Sequence, residues 1–313
     1  MSPRTFAALL FTLVLWGSAF GGIRAVVPDP FSPGHMALLR FLIASLTLVP
    51  IALARRVGLP RKRDLPRLAL VGFAGITVYH TALNFGEITV DAGTACFLVN
   101  LSPVFTALLS MIFLRERLRA FGWLGIAVSM CGVLLISLAK SDRLEANPGV
   151  LAILGCSLAA AVYFVAQKPL LGRCGALAVT SWATWIGTVL LLVFLPGLAS
   201  AVAKAPWKST LTVAYLGVFP AALAYVSWTY VLSKMPASRA ASCLYAAPLF
   251  AISIGYVWVG DQPGWLALLG GLIAIAGVVI VNTLGREPAV TENADFTTGA
   301  QRNEERRDRP ASA

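Results

Sequence analysis

Apolar residues dominate the chain in runs of about 20, and short polar connections separate one run from the next. A helix of that length crosses the hydrocarbon core of a bilayer, so each run is a predicted membrane span. The pattern predicts an all-α integral membrane protein with ten transmembrane helices. The predicted spans are residues 5–27, 34–54, 66–86, 91–114, 119–139, 148–168, 177–199, 209–232, 239–260 and 263–284.

The composition supports this interpretation. Of the 313 residues, 58% are hydrophobic and 12% are charged, which is too little polar surface to cover a soluble globule. The net charge of +11 would suit a soluble nucleic-acid-binding protein, but the basic residues cluster in short connections, so no nucleic-acid partner is expected.

The five cysteines are scattered without a close pair, and we expect them to be small buried residues that bind no metal or cofactor. The first run has no recognisable cleavage site and is expected to be retained.

The chain contains an internal duplication, since four residues of the first half have similar residues 145 positions later. The pairs are Pro103 with Pro248, Glu116 with Asp261, Gly125 with Gly270, and Gly132 with Gly277. A chance match between two apolar segments is the alternative. Because each half holds an odd number of spans, the second half must enter the membrane from the opposite side. We expect a first five-helix repeat at 1–140 and an inverted second repeat at 141–284, around a central cavity.

Lysine and arginine are unevenly distributed among the connections. If the N-terminus is cytoplasmic, the connections on that side carry most of the basic residues, with a dense group between Arg55 and Arg67. Such a bias marks the cytoplasmic side of a membrane protein. We predict a multi-pass protein of the cell inner membrane with both termini in the cytoplasm. Residues 285–313 are small, polar and of mixed charge, and they are predicted to be a disordered cytoplasmic tail.

Several short motifs, taken in order, resemble those of a known family. They are Leu15-Trp16-Gly17-Ser18-Ala19-Phe20 followed by Arg24, Arg40-Phe41, Pro103-Val104-Phe105 and Leu114-Arg115-Glu116. In this order they resemble the EamA-type members of the drug/metabolite transporter superfamily, over about residues 5–284. The resemblance implies ten helices in two inverted repeats and the export or exchange of small metabolites, including amino acids. The second half departs from the pattern, with Ala160-Ala161 in place of a Trp-Gly pair and Asp261 in place of a glutamate.

A polar stripe marks the third predicted span. Thr77, His80, Asn84 and Glu87 follow one another at spacings that put them on one helix face, which is unsuited to lipid. The equivalent stripe in the eighth span is largely aromatic, with Tyr225 and, one turn on, Trp228. We interpret the two stripes as walls of a cavity for a small amphipathic solute. The alternative is that the polar groups only form hydrogen bonds with neighbouring helices.

Arg40 is predicted to lie inside the second span, roughly 9 Å from its outer end at 1.5 Å per residue. A charge at that depth faces the bundle interior or water. It is a candidate ligand of a substrate carboxylate, or a fixed structural partner of a helix end. Arg24 and Lys168, near opposite membrane faces, are expected to extend to the interface.

Pro103 and Pro248 each remove a backbone hydrogen bond near mid-membrane, and they are candidate hinges or static kinks. Polar residues beside them and aromatic residues in other spans complete the candidate site. Trp182 and Trp185 are further aromatic candidates that would equally suit membrane-interface anchors. The candidate substrate-binding residues are Trp16, Arg40, Thr77, His80, Asn84, Asn100, Ser102, Tyr163, Tyr225, Trp228 and Tyr245.

The function that these features favour is secondary transport of small metabolites by alternating access, with amino acids or similar zwitterions as substrates. Exporters of drugs or nucleosides are alternatives, and so are a passive channel and a non-transporting scaffold, although the duplication argues against the last two. An enzyme is not expected, because the chain has only two histidines, His35 and His80, and no nucleotide-binding loop or metal motif. The expected partners are a small-molecule substrate and the lipid bilayer, with the protein acting as a monomer.

The acidic residues bear on energy coupling. All of them fall in connections, at span ends or in the tail, so no carboxylate is predicted at mid-membrane. His80 is then the mid-span group whose unperturbed pKa lies near neutrality. Facilitated diffusion or exchange is the first expectation, and proton exchange through His80 is the second.

The charge distribution predicts which side of the membrane each connection faces. A cysteine introduced by Asp142→Cys or Gly264→Cys is expected to react with an impermeant maleimide from the periplasm. One introduced by Lys62→Cys is expected to react from the cytoplasm alone, because basic connections stay inside. Labelling of intact cells and of inverted vesicles measures both. Equal reaction of the Lys62→Cys and Gly264→Cys proteins from one side contradicts the inverted arrangement.

Overall fold

The computed structural model describes residues 1–24, 26, 30–90, 92–138, 148–250, 253–254 and 264–285. Within these residues every regular element is a helix. Several predictions fall outside them, namely the tail beyond residue 285, the outer part of the ninth predicted span, and Asp91, Asp142 and Asp261.

Fourteen α-helices are numbered here in chain order, with two π-helical segments and three short 3-10 turns between them. The π-helical segments are Phe73–Val78 and Gly217–Leu223, and the 3-10 turns are Lys62–Asp64, Leu192–Phe194 and Cys243–Ala246. The α-helices are α1 Pro3–Arg24, α2 Pro33–Ala54, α3 Leu65–Gly72, α4 Tyr79–Gly86, α5 Ala92–Val99, α6 Ser102–Phe113, α7 Ala120–Leu138, α8 Pro148–Cys174, α9 Ala176–Leu191, α10 Leu198–Lys204, α11 Trp207–Leu216, α12 Ala224–Lys234, α13 Ala237–Ser242 and α14 Trp265–Thr283.

Six stretches of helix are long and apolar enough to cross a membrane. They are Pro3–Ile23, Pro33–Ala54, Lys62–Gly86, Pro148–Cys174, Ala176–Phe194 and Trp207–Lys234, and they coincide with six of the predicted spans. Shorter apolar helices, Phe97–Phe113, Ala120–Ile136 and Leu268–Thr283, occupy three further predicted positions. The protein is therefore an all-helical chain with several candidate membrane spans, as the hydrophobic pattern predicted.

Two predicted boundaries are wrong. The seventh span was expected to reach residue 199, but α9 ends at Leu191 and a 3-10 turn follows. Pro196 has no backbone N–H to continue the helical hydrogen bonds, and Gly197 then adopts a left-handed φ of 84° that ends the segment. The sixth span was expected to end at residue 168, but α8 continues through Pro169 to Cys174.

Helices α7 and α14 pack against each other in antiparallel fashion. Gly125 lies against Gly277 and Gly132 against Gly270, so the contacts run in opposite directions along the two helices. A Cβ atom on Gly132 would overlap the backbone of Gly270 and Ala274. Lipid tails are as apolar as leucine, so small residues hold such helices together by allowing close backbone contact.

The repeat seen in the sequence reappears in the contacts. Ser129 of α7 donates to the carbonyl of Ala274 in α14 at 3.0 Å, across a separation of 145 positions. His80 and Tyr225 also lie 145 positions apart, and their side chains are hydrogen-bonded at 2.8 Å. The two π-helical segments fall in the third and eighth predicted spans at nearly the same offset. Equivalent positions of the two halves thus meet each other.

The close contact between α7 and α14 predicts that a side chain at Gly132 is not tolerated. Gly132→Leu should force the helices apart or strain them, at a cost of about 1–3 kcal/mol and a lowering of Tm by roughly 5 °C. Thermal unfolding of the purified protein in detergent measures the change.

Gly155→Leu is the matched control, since an added Cβ on Gly155 meets nothing within 4 Å in the middle of α8. It should leave Tm unchanged or slightly raised. An equal loss of stability in both variants would contradict the packing argument.

Candidate functional site

A cavity of about 90 Å³ lies between α1, α2, α4, α8 and α12, and it reaches the broken helices that precede Pro103 and Pro248. Its walls are mainly apolar and aromatic, with a few polar groups. Seven of the predicted substrate-binding residues line it, together with one of the two predicted hinges. They are Trp16, Arg40, His80, Asn100, Ser102, Tyr163, Tyr225 and Pro248.

Arg40 brings a positive charge into this cavity. Its side chain is 2% exposed, and its Nη1 approaches Nδ1 of His80 at 3.5 Å. Its guanidinium carbon also lies 5.8 Å from the centre of the Phe41 ring. The Nε of Arg40 has no hydrogen-bond partner among the described residues. A guanidinium has five donors, so this cation retains unused capacity at the cavity wall.

His80 connects Arg40 to the opposite half of the chain. A guanidinium only donates, so Nδ1 of His80 accepts from Arg40 and Nε2 carries the hydrogen that is donated to the Tyr225 hydroxyl. The Tyr225 hydroxyl donates in turn to the carbonyl of Gly75 at 3.4 Å, within the π-helical segment. His80 is therefore a neutral imidazole whose two nitrogens are both engaged.

An aromatic wall faces this polar chain. The ring of Tyr225 lies 5.5 Å from that of Trp16 and 5.6 Å from that of Tyr163, measured between centroids. The indole N–H of Trp16 donates to the Pro220 carbonyl at 3.1 Å, which fixes the ring. Gly75 allows Tyr163 to approach closely, since a Cβ atom there would overlap the Tyr163 ring. Contacts of this kind favour apolar or aromatic groups in the cavity.

The fourth and ninth spans are broken where they reach the cavity. Helix α5 ends at Val99 and α6 begins at Ser102, so Asn100 and Leu101 form the break just before Pro103. In the ninth span the 3-10 turn Cys243–Ala246 precedes Pro248. A proline has no backbone N–H and cannot bond the carbonyl four residues earlier, which explains why both breaks precede a proline. Pro248 lines the cavity, whereas Pro103 is buried in α6.

Five predicted residues lie away from this cavity, and two of them bond neighbouring helices instead. Thr77 donates to the Gly187 carbonyl of α9 at 3.1 Å, and Asn84 donates to the Pro33 carbonyl of α2 at 3.0 Å. For these two the alternative interpretation of the stripe is the one that the geometry supports. The set outside the cavity is Thr77, Asn84, Trp228, Tyr245 and Pro103.

Trp228 and Tyr245 are buried completely in other packing clusters. Trp228 lies behind the aromatic wall, with its ring 5.4 Å from that of Trp16. Tyr245 packs with residues of α6, α7 and α14. Trp182 and Trp185 lie elsewhere as well, where they donate to the carbonyls of Gly58 and Ser45. Burial of a large ring was predictable, but the neighbour that buries it was not.

Sequence reasoning missed several lining residues, of which Tyr79 and Phe164 are the largest. The Tyr79 ring lies 4.8 Å from that of His80, and the Phe164 ring 5.6 Å from that of Tyr163. Each is adjacent in sequence to a residue that was identified, and this adjacency was the signal available. No group of three or more potential metal ligands is found within the part of the chain that the structure describes.

Comparisons with known proteins agree with the fold. A model of the EamA-like transporter family matches residues 4–138 and, a second time, residues 147–283. An uncharacterized transporter of Bacillus subtilis, YdfC, is 40% identical over 264 residues, which are 84% of this chain and 86% of that protein. A probable terminal-alkyne amino-acid exporter of Streptantibioticus cattleyicolor is 39% identical over 281 residues, 89% of this chain and 94% of that protein.

Two further comparisons are more distant. An uncharacterized inner membrane transporter of Escherichia coli K12, YedA, is 29% identical over 286 residues, 90% of this chain and 91% of that protein. A solved structure titled only as the crystal structure of a protein has a TM-score of 0.74 and covers 91% of this chain and 99% of its own, at 19% identity. That likeness concerns the fold alone.

Proposed function

The chain belongs to the EamA-like transporter family, and from that premise we propose that it carries amino acids or similar zwitterions across the inner membrane by alternating access. It is a multi-pass membrane protein and a transporter of small substrates. The substrate class, the mode of transport, the orientation and action as a monomer are parts of the proposal. Transport of nucleosides or drugs remains the alternative within the family, and a non-transporting scaffold the alternative outside it.

The proposed architecture is two inverted five-helix repeats, at residues 1–140 and 141–284. Three observations support it. The family model matches the chain twice, once in each half. Equivalent positions contact each other at Ser129 and Ala274 and at His80 and Tyr225, as expected near a two-fold axis. The equivalent helices α7 and α14 run antiparallel, which parallel repeats would not produce.

The buried cation carries the substrate proposal. Arg40 lines the cavity with its Nε unpaired among the described residues, and a guanidinium matches the two oxygens of a carboxylate. None of the described lining residues is acidic, so the cavity is poorly suited to a lipophilic cation. The rings of Trp16, Tyr163 and Tyr225 would contact an apolar substrate side chain. The relative at 39% identity is named an amino-acid exporter, which agrees with this chemistry.

Alternating access requires a closed side, and the predicted cytoplasmic ends of the helices provide one. The Glu116 carboxylate accepts hydrogen bonds from the backbone N–H groups of Ala237 and Ser238 at 2.8 and 3.1 Å, and from the Ser238 hydroxyl at 2.8 Å. These bonds join the connection after α6 to the beginning of α13, and therefore the first half to the second. Arg115, just before Glu116, has a left-handed φ of 55°, which is uncommon outside glycine.

Two more contacts close the same side. Lys168 donates to the carbonyls of Leu232 and Met235 at 2.9 and 2.7 Å, so it caps α12 instead of extending to the interface. At the opposite end the cavity reaches Ile23 and Leu83, near the predicted periplasmic ends of α1 and α4. In the proposed orientation the Glu116 contacts close the cytoplasmic side, and access from that side requires them to break.

Replacement of Arg40 tests the proposal directly. Counterflow of neutral amino acids in proteoliposomes should fall roughly tenfold or more in Arg40→Met, because a charge-assisted bond to the substrate carboxylate is lost. Arg40→Lys keeps the charge but lacks the planar guanidinium, and its counterflow rate should be intermediate. Arg117→Gln, which removes an exposed cation, is the control and should transport normally.

Melting curves of the same preparations show whether each variant is folded. The proposal fails if folded Arg40→Met transports amino acids as well as the unaltered protein does. It also fails if a lipophilic cation is transported better than every amino acid tried.

The neutral state of His80 favours facilitated diffusion or exchange over proton coupling. A proton on Nδ1 would remove the acceptor for Arg40 and place a second cation 3.5 Å away from it. His80→Asn keeps a polar side chain but cannot titrate, and it should retain exchange within a few-fold. An imposed pH gradient should change transport little in either protein. If the variant exchanges normally but loses a response to the gradient that the unaltered protein shows, His80 is a proton relay instead.

A further inference from the structure

A second cavity, of about 210 Å³, lies away from the first, where the connection between α2 and α3 meets the turn between α8 and α9. Its walls include Leu59, Arg61, Arg173, Cys174 and Trp182. Transport through the central cavity uses none of these residues. The basic connection was assigned above only a role in membrane orientation.

Specific contacts hold the walls of this cavity in place. The indole N–H of Trp182 donates to the Gly58 carbonyl at 3.1 Å, which attaches the connection to α9. Nη1 of Arg173 forms an ion pair with the Asp64 carboxylate at 2.9 Å, and Asp64 is 2% exposed. Gly175, with a left-handed φ of 77°, makes the turn between α8 and α9. The cavity is therefore built by residues of both halves of the chain.

The cavity has an excess of positive charge. Among the described residues that line it, Arg61 and Arg173 are cationic and none is acidic, while Asp64 pairs with Arg173. Arg173 lines the cavity, and its side chain remains 44% exposed despite the ion pair. Guanidinium groups in such an arrangement bind phosphate oxygens well.

One side of the opening is apolar. Leu59 is 86% exposed, and Leu65, at the start of α3, is 40% exposed. In a membrane protein such residues sit at the boundary between the headgroups and the acyl chains. The cavity thus has arginines that can bind a phosphate group and, beside them, apolar surface that can contact the acyl chain of a lipid. A soluble phosphate compound would contact the arginines but not the apolar surface.

We propose that this cavity binds the phosphodiester headgroup of an anionic phospholipid, with Arg61 and Arg173 contacting the phosphate. Basic pockets between helices on the cytoplasmic side of a membrane recognise such headgroups. The assignment to the cytoplasmic leaflet rests on the orientation proposed above, whereas the binding chemistry does not. A bound lipid would contact the α2–α3 connection and the α8–α9 turn together, and so would link the two halves on the closed side.

Cys174 provides a native probe of the site, because this partly exposed thiol lies in the wall. The rate of maleimide reaction at Cys174 is followed by peptide mass spectrometry on the purified full-length protein in detergent. Mixed micelles that contain phosphatidylglycerol should slow the reaction roughly fivefold or more once the lipid exceeds its dissociation constant several-fold. Phosphatidylcholine and inorganic phosphate should have little effect.

Variants separate the proposed contacts from a general lipid effect. In Arg61→Gln the ratio of rates with and without phosphatidylglycerol should fall towards one, and Arg117→Gln should behave like the unaltered protein. Arg173→Gln should also lose protection, but it breaks the pair with Asp64, so Arg61→Gln is the deciding variant. Taking the ratio within each variant removes any direct effect of the lost charge on the thiol.

The outcomes are distinct. Equal protection by inorganic phosphate shows an anion site without lipid specificity and overturns the proposal. Equal protection by phosphatidylcholine, or protection that survives in Arg61→Gln, overturns the role of the arginines. Absence of protection by any addition overturns the site altogether. The assay involves no transport, so its failure leaves the proposed function untouched, and a failure of the Arg40 test leaves this site untouched.

Discussion

A cation inside the hydrocarbon region must be surrounded by polar groups, and Arg40 imposes this constraint on the centre of the protein. One polar neighbour is His80, which is available as an acceptor because Tyr225 takes the hydrogen on the other nitrogen. Tyr225 belongs to the second half, so the chain of hydrogen bonds that accommodates the charge can form only when the two halves are assembled. The cavity, its aromatic wall and the proposed carboxylate chemistry all depend on this arrangement.

A second constraint is the absence of a hydrophobic driving force between helices in lipid. Close packing must replace it, and the glycines of α7 and α14 show how, since their backbones touch where a side chain would not fit. Around the central cavity the opposite holds. There the helices are interrupted by π-helical segments and by breaks before proline, which disturb regular packing next to the space that a solute would occupy. A tightly packed pair of helices beside an interrupted centre agrees with the proposed movement of one half against the other.

The polar stripe of the third span shows how far a pattern leads and where it ends. Its period placed Thr77, His80 and Asn84 on one face, and all three do point away from lipid and into protein. However, they meet three different neighbours. His80 reaches the cavity, Thr77 reaches α9, and Asn84 reaches α2. A helical period gives the direction of a side chain but not the identity of the element it meets.

The sequence by itself determined the class of protein, most span positions and the location of the repeat. These follow from local properties, namely the length of apolar runs, the spacing of glycine and proline, and the distribution of lysine and arginine. It also identified Arg40, His80 and Tyr225, because polar groups within apolar runs stand out individually. Only the tertiary structure decided that His80 and Tyr225 touch each other, that Trp228 and Tyr245 are buried outside the cavity, and that Arg61 and Arg173 share a cavity. Such contacts join residues far apart in the chain, and their geometry depends on how helices cross, which no single helix encodes.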